Sequence, residues 1–240
     1  MPEADPRVWY AAYGSNTHAE RLRYYLDGGR PPGGAREFPG CRDRRPPARS
    51  VPVVLPGRVY FATASPVWGG GRAFYDPAAD GDAWGVAHLL TVGQLSDIAA
   101  QEMYREPGTD LDLAEILTTG RHALGKGRYE TLVCPGFLDG VPVVTFTAPW
   151  PMPGDGDGDG GLRAPSAAYL RHLAAGLGRA GAWPHAEVAA YLAACPGAAG
   201  HWTAEAVAGL STPPPPAGPP RPAPRVGGAP PPRGHTERRA

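Results

Sequence analysis

Two short stretches carry residue types that could move protons at a small pocket. Tyr13-Gly14-Ser15-Asn16 closes an aromatic, β-prone run, and Gln101-Glu102 closes an amphipathic one. Glycine at position 14 allows a sharp turn and a close backbone approach to a ligand. Free N–H groups at the start of a following helix bind an anion or a developing oxyanion, and Ser15 and Asn16 add short polar side chains. The same residues also read as an ordinary turn with Asn16 as an N-cap, and local physics alone favours that reading. Glu102 shares a helical face with Leu95, Ile98 and Ala99, the face expected to be buried. Desolvation there raises a carboxyl pKa toward neutrality and suits it to acid/base work. The alternative is a solvated Glu102 at the margin of the stripe, or one paired with an arginine such as Arg105.

Positioning those residues requires a strand before the turn and a helix before the glutamate. Val8 to Tyr13 reads as the strand, and Asn16 as the cap of a helix from about Thr17 that buries Leu22, Tyr25 and Leu26 and stops at Gly28-Gly29. Residues 27 to 50 are rich in Gly, Pro and Arg and read as a long irregular connection. Strands are expected at Val51 to Leu55, Arg58 to Ala64, Arg72 to Tyr75, Ala83 to Leu90, Leu113 to Leu117, Glu130 to Val133 and Val141 to Thr147. Helices are expected at Gly93 to Met103, Ser166 to Leu177, His185 to Ala194 and Thr203 to Ala208. Strands come mostly first and helices mostly late, which is the order of an α+β domain, here residues 6–210. Residues 211–240 are proline-rich with Val226 as their one large apolar residue, and read as a disordered tail, either inert or a docking segment for a proline-binding module.

Composition narrows the function. The chain of 240 residues has 23 basic and 23 acidic side chains, so its balance gives no general reason to bind nucleic acid or an anionic membrane. Its 3 cysteines are far apart, fitting neither a disulfide framework nor a zinc site. The 7 histidines are scattered without ligand spacing, which argues against a zinc hydrolase or a zinc deacetylase. Asp155-Gly-Asp-Gly-Asp-Gly imitates half of a calcium loop, but Ser166 stands where the bidentate glutamate belongs. Arg42, Arg44, Arg45 and Arg49 form a basic run read as a solvated loop. With no secretory signal and no apolar run near 20 residues, a cytoplasmic protein is expected. The only asparagine is Asn16, and it falls inside the sharpest motif.

Three landmarks, in order, resemble the γ-glutamylcyclotransferase-like superfamily. They are the aromatic-Ala-Tyr-Gly-Ser-Asn turn at residues 10–16, Trp84-Gly85-Val86 followed by Gln101-Glu102, and Pro165-Ser166 with Tyr169. The resemblance spans residues 8 to about 195. It implies a small mixed β-barrel flanked by helices, with the pocket at its mouth. It also implies cyclisation of a γ-glutamyl group to 5-oxoproline, with release of an amine or amino acid and no metal or cofactor. On that resemblance Glu102 is the catalytic base and acid. Tyr13, Gly14, Ser15, Asn16 and Tyr169 are substrate-binding, the turn N–H groups holding a carboxylate or oxyanion and Tyr169 bonding the γ-glutamyl moiety. The implied partner is a small γ-glutamyl compound, with the protein a monomer or homodimer. Thr17 and Met103 depart from the family pattern. A member that binds a small ligand or a protein partner without turnover is the alternative.

Overall fold

Every position of the Val8–Ala12 run is buried, because the strand it forms lies inside a sheet with both faces covered. A computed structural model of the chain describes residues 5–31, 36–154, 161–211 and 221–228. In it β1 (Arg7–Ala12) pairs antiparallel with β5 (Asp82–Thr91) on one side and parallel with β8 (Val141–Thr147) on the other. The full sheet adds β2 (Ser50–Pro56) beyond β5, and β7 (Thr131–Leu138) and β6 (Arg121–Ala123) beyond β8. A separate antiparallel pair, β3 (Arg58–Ala64) and β4 (Gly71–Asp76), is tied to β8 where the Thr147 hydroxyl donates to the Tyr75 carbonyl at 2.5 Å.

The period of two in β1 divides the core. Trp9, Ala11 and Tyr13 face one cluster, which includes Leu170, Leu173 and Leu177 of α4 (Ala167–Ala180), Val188 and Leu192 of α5 (His185–Ala194) and Val207 of α6 (Ala204–Ala208). Val8, Tyr10 and Ala12 face a second, with Leu22, Tyr25 and Leu26 of α1 (Ala19–Asp27), Leu95 and Ile98 of α2 (Val92–Glu102) and Ile116 of α3 (Ala114–Thr119). This is an α+β arrangement with helices on both faces of a mixed sheet.

The sheet is also closed. Residues 224–227 run between β2 and the end of β7: the Val226 N–H donates to the Val54 carbonyl at 2.8 Å, and the Phe137 N–H to the Gly227 carbonyl at 3.3 Å. The β7 strand has a register break between Val133 and Gly136, and a Cβ at Gly136 would come within 2.8 Å of the Gly227 backbone, so only glycine admits this approach. Of the segment expected to be a disordered tail, residues 221–228 are therefore ordered, with Val226 buried in the first core cluster. Residues 212–220 and 229–240 lie outside the described residues.

Other expectations need correction. Leu113 to Leu117 is no strand: Ala114–Thr119 is helical, Ala, Glu and Leu being good helix formers, and Gly120 ends it in a left-handed conformation. The short strand β6 had no clear sequence signal. Asn16 caps no helix; it lies within a 3-10 turn, Ser15–Thr17, and α1 starts only after His18. The α2 helix instead has a capping box, Thr91 with Gln94. In the basic run, Arg42 is paired with Asp97 and Asp110, Arg45 with Asp43, and Arg49 with Asp139, so its charge is largely compensated locally. The Asp155-Gly-Asp-Gly-Asp-Gly stretch lies outside the described residues.

Candidate active site

Beyond the end of β1 the chain turns through Gly14 and the 3-10 turn. The Thr17 N–H and hydroxyl both donate to the Gly14 carbonyl, at 3.1 and 2.9 Å. Two histidines hold the next two carbonyls. His172 Nε2 is 2.9 Å from the Ser15 oxygen, and His88 Nε2 is 3.1 Å from the Asn16 oxygen. A carbonyl only accepts, so each ring carries its proton on Nε2. Burial lowers the pKa of both rings, that of His88 to about 4, and His88 Nδ1 then accepts from the Ser50 hydroxyl at 2.8 Å. Behind them the His172 ring stacks on His18 at 4.9 Å and lies 4.7 Å from Trp68, which stacks on Tyr169 at 5.2 Å. Gly85 of β5 matters to this turn as well. A Cβ there would sit 2.6 Å from the Ala12 carbonyl oxygen, and its absence lets the end of β1 lie against β5.

Glu102 arrives from α2, whose last turn is fastened by Gln101. The fully buried Gln101 amide donates to the Tyr25 carbonyl at 3.0 Å and to the Asp97 carbonyl at 3.1 Å, and accepts from the Gly40 N–H at 3.3 Å. Its main-chain oxygen accepts from Arg36 at 2.8 Å. The neighbour in sequence therefore fixes the helix end to α1 and to the loop around residue 40. Glu102 itself is half-buried in a cavity of about 350 Å³, with Tyr10, Asn16, Arg21, Tyr25 and Arg36 in the same lining. Burial pushes its carboxyl above the usual range; the Tyr25 hydroxyl, the Arg21 and Arg36 charges and the Asn16 side chain oppose that rise without cancelling it. Arg105, the partner weighed from sequence, pairs with Glu130 at 2.8 Å instead.

The Asn16 amide is oriented by its neighbours: Nδ2 donates to the Tyr10 hydroxyl at 3.1 Å. That leaves Oδ1 buried in the cavity lining without a partner, although the residue is only 3% exposed. The Thr145 hydroxyl in the same lining is likewise buried and unpartnered. An unmet buried acceptor costs about 1–3 kcal/mol, which a donor on a ligand would offset.

All six residues singled out from sequence line this one cavity. Tyr13 contributes its ring alone, since its hydroxyl donates to the Phe146 carbonyl at 2.7 Å. Tyr169 sits in the first turn of α4, where Ser166 caps its N–H at 3.2 Å, and its hydroxyl would lie 3.3 Å from a Cβ at Gly14. The sequence reading missed the Tyr10 hydroxyl, read only as part of the strand, the Tyr25 hydroxyl, read as part of a buried helix face, and the arginines Arg21, Arg36, Arg72 and Arg128. It also missed Thr145 and the two supporting histidines. Among the described residues no three His, Cys, Asp or Glu side chains come together as a metal site, and no helix is long and apolar enough to cross a membrane.

Fold and cavity thus define a closed α+β domain with a desolvated carboxylate among tyrosines and arginines. No family model matches the chain. Solved structures similar to it include a gamma-glutamyl cyclotransferase, 16% identical, covering 73% of this chain and 80% of that one with a TM-score of 0.38. They also include an uncharacterized protein from Homo sapiens, 15% identical, covering 74% of this chain and 82% of that one with a TM-score of 0.43. Among curated proteins the chain is similar to histone deacetylase 5 of Arabidopsis thaliana, 30% identical over 197 residues, or 77% of this chain. The match spans only 30% of the length of that plant protein.

Proposed function

We propose that this domain is a γ-glutamyl cyclotransferase-type enzyme with Glu102 as its acid/base group. The observation that carries the reading is a half-buried carboxylate, its pKa raised by removal from water, beside an unmet amide acceptor in one cavity. A γ-glutamyl substrate has an α-ammonium group that donates to such acceptors. In the proposed pose this group bonds Asn16 Oδ1 and Glu102, and Glu102 removes one proton from it. The freed amine attacks the substrate's own γ-carbonyl. A C–N bond forms in the five-membered ring; Glu102 passes its proton to the γ-amide nitrogen and takes the second proton from the ring nitrogen, the γ-amide C–N bond breaks, and that second proton leaves with the amine, which departs as an ammonium group. N–H groups of the Gly14-Ser15-Asn16 turn serve the carboxylate or the tetrahedral oxyanion, and the Tyr169 hydroxyl bonds the γ-glutamyl moiety. Because nucleophile and electrophile share one molecule, the cavity chiefly has to fold the substrate into a reactive shape.

The test is release of 5-oxoproline from γ-glutamyl amino acids, γ-glutamyl amines and glutathione, with wild type beside Glu102→Gln. Turnover by wild type and its loss, by at least about 100-fold, in a folded Glu102→Gln variant is the expected result. An inactive wild type across the panel refutes the enzyme reading and leaves the binding-module alternative.

A further inference from the structure

α2 is followed by a residue whose backbone and side chain are both out of the ordinary. Tyr104 has φ +58°, in the left-handed region. Its turn is fixed by its own N–H to the Gln101 carbonyl at 3.2 Å and by the Arg105 N–H to the Ala100 carbonyl at 2.8 Å. Glycine or asparagine ends a helix this way without strain, whereas a bulky side chain there is held against its preference. The ring it carries is 72% exposed and lines the Glu102 cavity, so it stands at the mouth.

Burial does not account for an aromatic ring at this place. Arg36 supplies one contact: its guanidinium lies 4.4 Å from the Tyr104 ring centroid and 4.8 Å from that of Phe38, and it is anchored on the Gln101 carbonyl at 2.8 Å. What the ring leaves to solvent is a flat surface backed by a fixed cation. Val67, on the connection between β3 and β4, is a second exposed apolar side chain of the same lining. Three large apolar side chains are exposed among the described residues, and two of them lie at this one cavity; the third, Leu117 of α3, does not line it. The partly buried Trp68 and Met103 add apolar surface to the lining. Exposed apolar surface gathered at a cavity mouth marks a place where a ligand is covered.

We propose that Tyr104, with Val67 at the same opening, is a platform for an aromatic ring on the amine that leaves the γ-amide. This rests on the cyclotransferase reading above, which assigns the glutamyl half of the substrate to Asn16, Glu102 and Tyr169. Asn16 and Tyr169 are each 3% exposed, so the rest of the substrate extends from them toward the exposed rim. A flat ring stacks on Tyr104 and removes its apolar surface from water. A polyamine is disfavoured, because Arg36 already lies over the ring and Arg21, Arg72 and Arg128 share the lining. A short alkyl chain offers too little surface to stack.

The test compares γ-glutamylphenethylamine with γ-glutamylethylamine and γ-glutamylputrescine, three amides that differ only in what the leaving amine carries. Turnover is read as kcat/KM for 5-oxoproline release by wild type, Tyr104→Gly and Tyr104→Phe. Binding is read by calorimetry on Glu102→Gln, with and without Tyr104→Gly. Glycine suits the left-handed backbone, so Tyr104→Gly removes the ring and keeps the turn. Wild type should favour the phenethylamine over the ethylamine by about tenfold or more; Tyr104→Gly should abolish most of that ratio and Tyr104→Phe should keep it. A second pair, γ-glutamylphenylalanine and γ-glutamylalanine, tells whether the ring comes on an amino acid or on a simple amine, and a lead in either pair that falls with Tyr104→Gly supports the platform. Turnover in which the ring gives no lead, or a lead that survives Tyr104→Gly, keeps the enzyme and overturns the platform. A preference for the putrescine overturns it as well. Ring-dependent binding that Tyr104→Gly abolishes, without turnover, keeps the platform and overturns the enzyme. Neither binding nor turnover overturns both.

Discussion

The carboxyl of Glu102 is pulled in two directions, and the balance sets the pH range in which the proposed reaction should run. Removal from water favours the neutral acid, while the Tyr25 hydroxyl, Arg21, Arg36 and Asn16 favour the carboxylate; burial wins, so the pKa lies above that of an ordinary glutamate. A base must be ionised to accept a proton, so kcat/KM should fall on the acid side through that raised pKa. Tyr25→Phe removes an interaction that favours the carboxylate while leaving the ring in the apolar cluster. Its acid limb should therefore lie at higher pH than that of wild type, with the lost rate recovered as pH rises. A Tyr25→Phe limb that stays put or moves down would contradict this account of the environment. Asn16→Ala removes both the Oδ1 acceptor and the Nδ2 donor. A kcat/KM loss of about 10- to 100-fold is expected, and an unchanged value would sink the proposed ammonium contact.

The turn after β1 takes its shape from other elements more than from its own sequence. β5 sends His88 and α4 sends His172 to consecutive carbonyls, and both rings are kept neutral by burial. Lowered histidine pKa values mean that the unfolded chain binds protons in a range where the folded one does not. Stability is therefore present above the unfolded value of 6.5 and is lost as pH falls toward the folded value, about 4 for His88. Over that window His88 should contribute a loss of about 3 kcal/mol. His88→Gln retains a donor but does not titrate, so its thermal midpoint should fall less than that of wild type between pH 7 and pH 4.5. Parallel falls in the two proteins would show that His88 is not the titrating group. The two histidines also explain what the sequence could and could not reveal. The glycine turn, Glu102 and Tyr169 were legible because each belongs to a short motif of covalent neighbours. His88 lies 72 residues from Asn16 and His172 lies 157 from Ser15, so no local spacing links them to the turn. Tyr10 and Tyr25 were visible as aromatic residues on buried faces, but the pattern of burial does not tell which rings end in a cavity. Leu113 to Leu117 was misread for a related reason: five residues are too few to separate period 2 from period 3.6, and the packing of Ile116 against the second core cluster decided it.

At the scale of the whole molecule, the sheet that presents β1 and its turn depends on a segment from the far end of the chain. The six strands run from β2 at one edge to β6 at the other, but β6 pairs only with Thr131 to Val133. The last residues of β7, from Gly136 to Leu138, would be an open edge beside β2 if residues 224–227 did not join the two. Exposed edges of this kind recruit other chains. The joining segment also buries Val226 and pairs Arg225 with Asp82, the latter an exposed contact that adds little by itself. None of these residues lines the cavity, so closure should matter to stability and not to ligand binding there. Removing residues 221–240 should cost about 2–4 kcal/mol, mostly from the valine and the strand hydrogen bonds. In a domain of this size that lowers the thermal midpoint by several degrees, at roughly 2–4 °C per kcal/mol, and increases aggregation on heating. Gly136→Ala should reproduce part of the loss with the full chain present, since its Cβ would collide with the Gly227 backbone. In both variants the KM for a γ-glutamyl substrate at 25 °C should match wild type. A shortened chain that melts like the full one would show that the sheet closes without the segment, and a changed KM would show that closure reaches the cavity.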